Sequence, residues 1–154
     1  MNKCKFFLSI IVFIILSSCG YSRLNDQSNQ IKFDNIEIIG DKRLSYILKN
    51  NLILISKQEA KSIYDLSINL SNSKTSKIKD ASGKTTRFNL ILNGDLKLID
   101  DRNFTYNRLF AVSNDFDVST NHSDTIRNEK NALQNNINKL SEEIIKYIQL
   151  INIK

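Results

Sequence analysis

The sequence predicts an α+β domain: two helices packed on one face of a four-stranded mixed sheet, in the order β-α-β-β-β-α. Three observations predict it. Stretches around residues 66–70, 88–98 and 104–112 alternate apolar and polar side chains with the period of a half-buried strand. Two other stretches, one after Asp41 and one after about Asp124, repeat apolar residues at the spacing of an amphipathic helix. The chain has 154 residues, 41% of them hydrophobic and 25% charged, enough for one packed core and no more than one domain.

The elements follow in order. Ile31 to Ile39 mixes β-branched residues with Asp34, Asn35 and Glu37, and suggests a first strand open to a bulge. Gly40 and Asp41 end it, and Asp41 suits the N-cap of a helix running to about Ile55. That helix buries Leu44, Ile47, Leu48, Leu52 and Ile55. Leu66, Ile68 and Leu70 then alternate with Ser67, Asn69 and Ser71 as a second strand. Residues 72–86 hold little apolar material and read as a connection turning at Gly83. Phe88, Leu90, Leu92, Leu96 and Leu98 form the strongest strand pattern, with Gly94 interrupting it as a bulge or bend. Asp100 to Asn103 make a turn. Phe104, Tyr106, Phe110 and Val112 continue the alternation on a fourth strand, with Arg108 as the exception. A long helix from about Asp124 to about Leu150 presents Ile126, Leu133, Ile137, Leu140, Ile144, Ile148 and Ile151 as one stripe.

The first β-α-β step predicts parallel strands and a right-handed crossover, and the next three strands a meander. One sheet face is apolar and takes both helices. The other carries Ser67, Asn69, Asn89, Asn93 and Lys97, and faces water or a polar partner.

Ahead of the domain stands a leader. Lys3 and Lys5 precede an apolar run, Phe6 to Leu16, and small residues follow. This is the layout of a secretory signal peptide over residues 1–18. The apolar run is too short to cross a hydrocarbon core of ~30 Å unaided. Leu16-Ser17-Ser18-Cys19 resembles the lipobox of bacterial lipoproteins. That resemblance implies cleavage before Cys19, which becomes the first residue and carries acyl chains, each buried methylene contributing ~0.8 kcal/mol to anchoring. Gly20 in place of an acidic residue resembles the outer-membrane members. Residues 19–30 are the acylated cysteine and a polar tether, and residues 31–154 the domain.

Composition excludes much chemistry. There is one histidine, His122, and two cysteines, of which Cys4 leaves with the leader and Cys19 takes lipid. The mature chain then has no thiol for a disulfide, a metal or a nucleophile. No P-loop, dinucleotide glycine motif or nucleophile elbow occurs. Asp100 with Asp101, and Asp115 with Asp117, read as solvated turn or strand residues and not as a catalytic carboxylate pair. His122 reads as an exposed residue near a helix cap. No enzyme, metal or cofactor is expected beyond the covalent lipid on Cys19. Arg127 and Lys130 oppose the dipole at the start of the last helix, a small cost borne in solvent.

Charge placement points to a partner. The mature chain carries 20 basic and 16 acidic side chains. Residues 74–87 hold Lys74, Lys77, Lys79, Lys84 and Arg87 against Asp80 alone, which accounts for the whole excess. If the flanking strands pair, this is a cationic hairpin tip attracting anions over a Debye length of ~8 Å. Export makes nucleic acid an unsuitable partner. Phosphorylated lipids, including lipopolysaccharide, suit Lys77, Lys79, Lys84 and Arg87. The competing reading is a solvated loop whose lysines keep the hairpin soluble.

Cys19-Gly20-Tyr21 after the lipobox, the β-α-β-β-β-α order, the basic loop before a long alternating strand and the closing helix together resemble the LptE family across the whole mature chain. The resemblance implies an outer-membrane lipoprotein that plugs and helps assemble a large LptD-type β-barrel, binds lipopolysaccharide and assists its transport. In the family a basic side chain beside the loop glycine contacts lipopolysaccharide. Here Ala81 and Ser82 precede Gly83, so Lys79 and Lys84 are the nearest counterparts. The alternative is an accessory lipoprotein, pilotin-like or a transport-complex component, of another envelope machine.

Overall fold

A computed structural model describes residues 31–57, 60 and 62–152. The leader, Cys19 and the tether lie outside these residues. Strand β1 (Ile31–Ile39) leads into helix α1 (Lys42–Ile53). Strands β2 (Ser62–Lys79), β3 (Thr85–Asp100) and β4 (Thr105–Asp117) follow, and helix α2 (His122–Asn152) closes the chain. The strands lie in the order β1-β2-β3-β4. β1 is parallel to β2, and the other pairs are antiparallel.

Local chemistry explains the first turn of the fold. The register of β1 shifts between Phe33 and Asn35. This bulge lets Ile31 and Phe33, and then Ile36 and Ile38, all reach the core despite the broken alternation. At Gly40 the backbone takes φ +132°, and an added Cβ would lie 2.5 Å from the Leu70 carbonyl oxygen. Only glycine fits that conformation and that approach. Asp41 then caps α1, its Oδ1 accepting the amides of Arg43 at 2.9 Å and Leu44 at 3.0 Å.

The core lies between one sheet face and the two helices. Leu66 and Ile68 of β2 and Leu92, Leu96 and Leu98 of β3 are almost fully buried. Leu44, Leu48 and Leu52 of α1 and Ile137, Leu140, Ile144 and Ile148 of α2 cover them. Ile126 departs from the expected stripe: it is exposed, and Ala132, Asn136 and Ser141 complete the buried face instead. Both polar members are bonded. Asn136 Nδ2 donates to the Leu90 carbonyl at 2.9 Å. Ser141 Oγ donates to the Ile137 carbonyl and accepts from Asn51 Nδ2 at 3.0 Å, joining the helices.

Gly94 is not a bulge. It pairs in register with Leu70 and Phe110. A Cβ there would stand 3.2 Å from Leu140 Cδ2, so the missing side chain makes room for α2. Several boundaries also differ from the sequence reading, among them the end of α1 at Ile53 and not about Ile55, and the start of β3 at Thr85. β2 continues to Lys79, β4 to Asp117, and α2 begins at His122. Residues 72–79 are therefore strand and not connection. They lack an apolar row because β2 is exposed on both faces from Ser71 onward.

Three substitutions test this packing. Gly40→Ala meets both the strained φ and the Leu70 carbonyl, and should cost more than ~1 kcal/mol in urea denaturation. Gly83→Ala, with open space around its Cβ position, should cost less. Leu140→Ala should cost about 2–5 kcal/mol. A Gly40→Ala protein as stable as wild type would disprove the close approach of β1 to β2.

Candidate functional site

The candidate site is the hairpin end formed by β2 and β3 with the adjoining end of β4. Its turn is built by Asp80, whose Oδ1 accepts the amide and hydroxyl of Ser82 and the amide of Lys84. These bonds, the Ser82 hydroxyl first, hold the Asp80 carboxyl below its ordinary pKa. Gly83 at φ +83° closes the loop. The β3–β4 turn repeats the device: Asp100 Oδ1 accepts the amides of Arg102 and Phe104, and Asn103 takes the positive φ. Sequence reading treated Asp100 as a solvated turn residue, whereas it is 8% exposed and organises the turn from within.

The ladder decides what the basic side chains do. Lys74 pairs with Leu90 on the helix-facing side. Its Nζ lies 5.3 Å from the Phe88 ring and 5.9 Å from the Phe116 ring, and 2.8 Å from Glu129 of α2. It therefore clasps the small cluster of Leu90, Phe116 and Ala132 under α2. On the opposite face Asp115 of β4 accepts from Lys77 Nζ and, at 2.8 Å, from Asn89 Nδ2. Arg87 donates Nε at 2.6 Å and a terminal nitrogen at 3.2 Å to the two oxygens of Asp117. Asp115 is held below the ordinary carboxylate pKa by Lys77 first and Asn89 second, and Asp117 by Arg87. The Asp117 carboxylate raises Arg87 in turn.

The expected uncompensated tip is thus corrected. Three of the five cations of residues 74–87 pair with Glu129, Asp115 and Asp117, which leaves Lys79 and Lys84 beside Asp80. Lys77 and Arg87 are committed to β4. Lys79 and Lys84 flank the turn and make no ion pair within 4 Å among the described residues. Ile78, at a register shift beside Lys79, is 46% exposed. The site therefore offers two cations and an apolar side chain on a stiff two-stranded arm. Asp115 and Asp117 were the residues that sequence reasoning left out of it. Their i, i+2 spacing places them on one strand face, but only pairing with β3 sets them opposite the basic stretch.

The remaining candidates fall elsewhere. His122 opens α2 and is exposed. Arg127 bonds Asp124 at 2.8 Å, so its charge at the helix start is answered within the helix and not simply borne in solvent. No group of three or more His, Cys, Asp or Glu suited to a metal occurs among the described residues. No helix among them is long and apolar enough to cross a membrane.

The fold has solved counterparts. It matches the crystal structure of rare lipoprotein B from Shewanella oneidensis with a TM-score of 0.64 and 11% identity, over 80% of this chain and 96% of that one. It matches the solution NMR structure of lipoprotein B from Nitrosomonas europaea with a TM-score of 0.61 and 14% identity, over 84% and 90%. A minor lipoprotein from Acinetobacter baumannii gives a TM-score of 0.56 and 15% identity, over 79% and 92%. At these identities the likeness is one of fold alone. No family model and no curated protein matches the sequence.

The ion pairs set a pH dependence. A carboxylate whose folded pKa is depressed adds stability above its unfolded value, near 3.8, and loses it as pH falls through the folded value. Carboxyl 13C NMR should place the midpoints of Asp115 and Asp117 below 3.8. Lys77→Met should raise the Asp115 midpoint more than that of Asp117. Equal movement of both would contradict the pairing.

Proposed function

We propose that this chain is a non-catalytic outer-membrane lipoprotein of lipopolysaccharide assembly. It plugs and helps assemble a large LptD-like β-barrel, and it presents its hairpin end to lipopolysaccharide. The reading is supported above all by one conjunction. A leader over residues 1–18, with a lipobox-like sequence before Cys19, precedes a domain whose fold is shared with lipoprotein structures from three bacteria.

Mechanistically the protein supplies shape and charge. The sheet face away from the helices carries Ser67, Asn69, Asn93 and Lys97, which suits the wet lumen of a barrel. The pairs Lys77–Asp115 and Arg87–Asp117 tie the β2–β3 arm to β4 and stiffen it. Lys79 and Lys84 then offer charge-assisted hydrogen bonds to lipid phosphates, with Ile78 beside them for an acyl chain. Lys77 and Arg87 can reach a phosphate only by leaving a carboxylate, so they contribute less.

Mild detergent extraction of the lipidated protein, followed by mass spectrometry, should recover one large β-barrel at about one to one. A different stoichiometric partner would favour the accessory-lipoprotein alternative. Lys79→Glu with Lys84→Glu should weaken lipopolysaccharide binding and flatten its salt dependence more than Lys77→Glu alone. Binding unchanged in the double variant would remove the hairpin from the ligand contact.

A further inference from the structure

Ten large apolar side chains of the described residues are exposed, and five share one end of the domain: Ile53, Leu54, Ile63, Phe104 and Leu150. Several contacts define that end. Ile31 bridges Ser56 just past α1, and the Lys57 amide donates to the Ile31 carbonyl at 2.8 Å. Ile63 stands beside Lys32 in the ladder. Tyr64 pairs with Asp100 at the base of the β3–β4 turn, and its hydroxyl lies 3.5 Å from Asn152 Oδ1 at the end of α2. This is the end where residue 31 enters the fold, twelve residues after Cys19. The hairpin turn of Asp80 to Lys84 closes the opposite end of β2. The other five exposed apolar residues, Ile39, Tyr46, Ile78, Leu109 and Ile126, are dispersed.

One cation sits over a ring at the same end, and a second pair follows farther along β4. The Arg102 guanidinium lies 5.7 Å from the Phe104 ring; that of Arg108, which pairs with Leu96 farther along the sheet, lies 4.5 Å from the Tyr147 ring. Exposed aliphatic side chains with the Arg102–Phe104 pair match the chemistry of a bilayer interface, where rings and cations sit at headgroup level above buried aliphatic groups.

We infer that this end of the domain rests on the phospholipid surface of the leaflet that holds the Cys19 lipid. The inference rests on acylation of Cys19 and concerns the lipidated chain before it enters a barrel, whose lumen would hold the domain away from lipid. Twelve residues span at most ~40 Å. A short tether holds the end at an effective concentration on the order of mM, so a contact too weak to recruit the domain alone is still filled. Docking through this end points the hairpin away from the membrane surface. β2 is 18 residues long, which at ~3.3 Å per residue sets its two ends roughly 60 Å apart.

The test uses the full chain, made with its leader so that Cys19 is acylated, and reconstituted in vesicles of phosphatidylethanolamine and phosphatidylglycerol. Leu54→Cys, Phe104→Cys, Leu150→Cys and the hairpin control Ser82→Cys each receive a nitroxide. The expected result is a shift of collision accessibility toward oxygen and away from a water-soluble nickel chelate at 54, 104 and 150, with the reverse at 82. Water-like accessibility at all four overturns the docking. Shielding of 54, 104 and 150 from both oxygen and nickel, as in contact between copies, overturns it too. The acylated wild type has no thiol and should take up no nitroxide. If it does, the anchor itself is disproved and the docking with it.

Discussion

The whole arrangement depends on one apolar sheet face and on how far the helices cover it. Leu66, Ile68 and Leu70 on β2, with Leu92, Leu96 and Leu98 on β3, must be kept from water. α1, at 12 residues, is ~18 Å long, and α2, at 31 residues, is ~46 Å long. The strands outrun α1. β2 is covered to Leu70, and its last nine residues are exposed on both faces. A strand without cover can stay soluble only with polar side chains, so its composition there follows from the length of α1.

That geometry separates the molecule into two ends of different chemistry. Toward the hairpin, Lys79, Lys84 and Ile78 stand on an arm tied down by β4 carboxylates and, through Lys74, by α2. Toward residue 31, exposed apolar side chains and the Arg102–Phe104 pair collect around the chain entry. The sheet between them is continuous, with every strand held in one ladder. A contact made at one end therefore sets the orientation of the other.

Part of this was legible in the sequence for a simple reason. Period-two alternation in residues 66–70, 88–98 and 104–112, and the stripe from Leu133 to Ile148, record which side chains face a core. Where both faces are wet, as at Ser71 to Lys79, the record disappears, and strand looks like loop. Gly94 was visible as an interruption, yet its meaning lay in Leu140, 46 residues away.

The element order and the split into apolar and polar sheet faces are written in neighbouring residues. Which cations are answered follows from the fold in space. Lys77 meets Asp115 across 38 residues, Arg87 meets Asp117 across 30, and Lys74 meets Glu129 across 55. A charge is neutralised by what stands beside it in space, and strand register, not spacing along the chain, places the acids there.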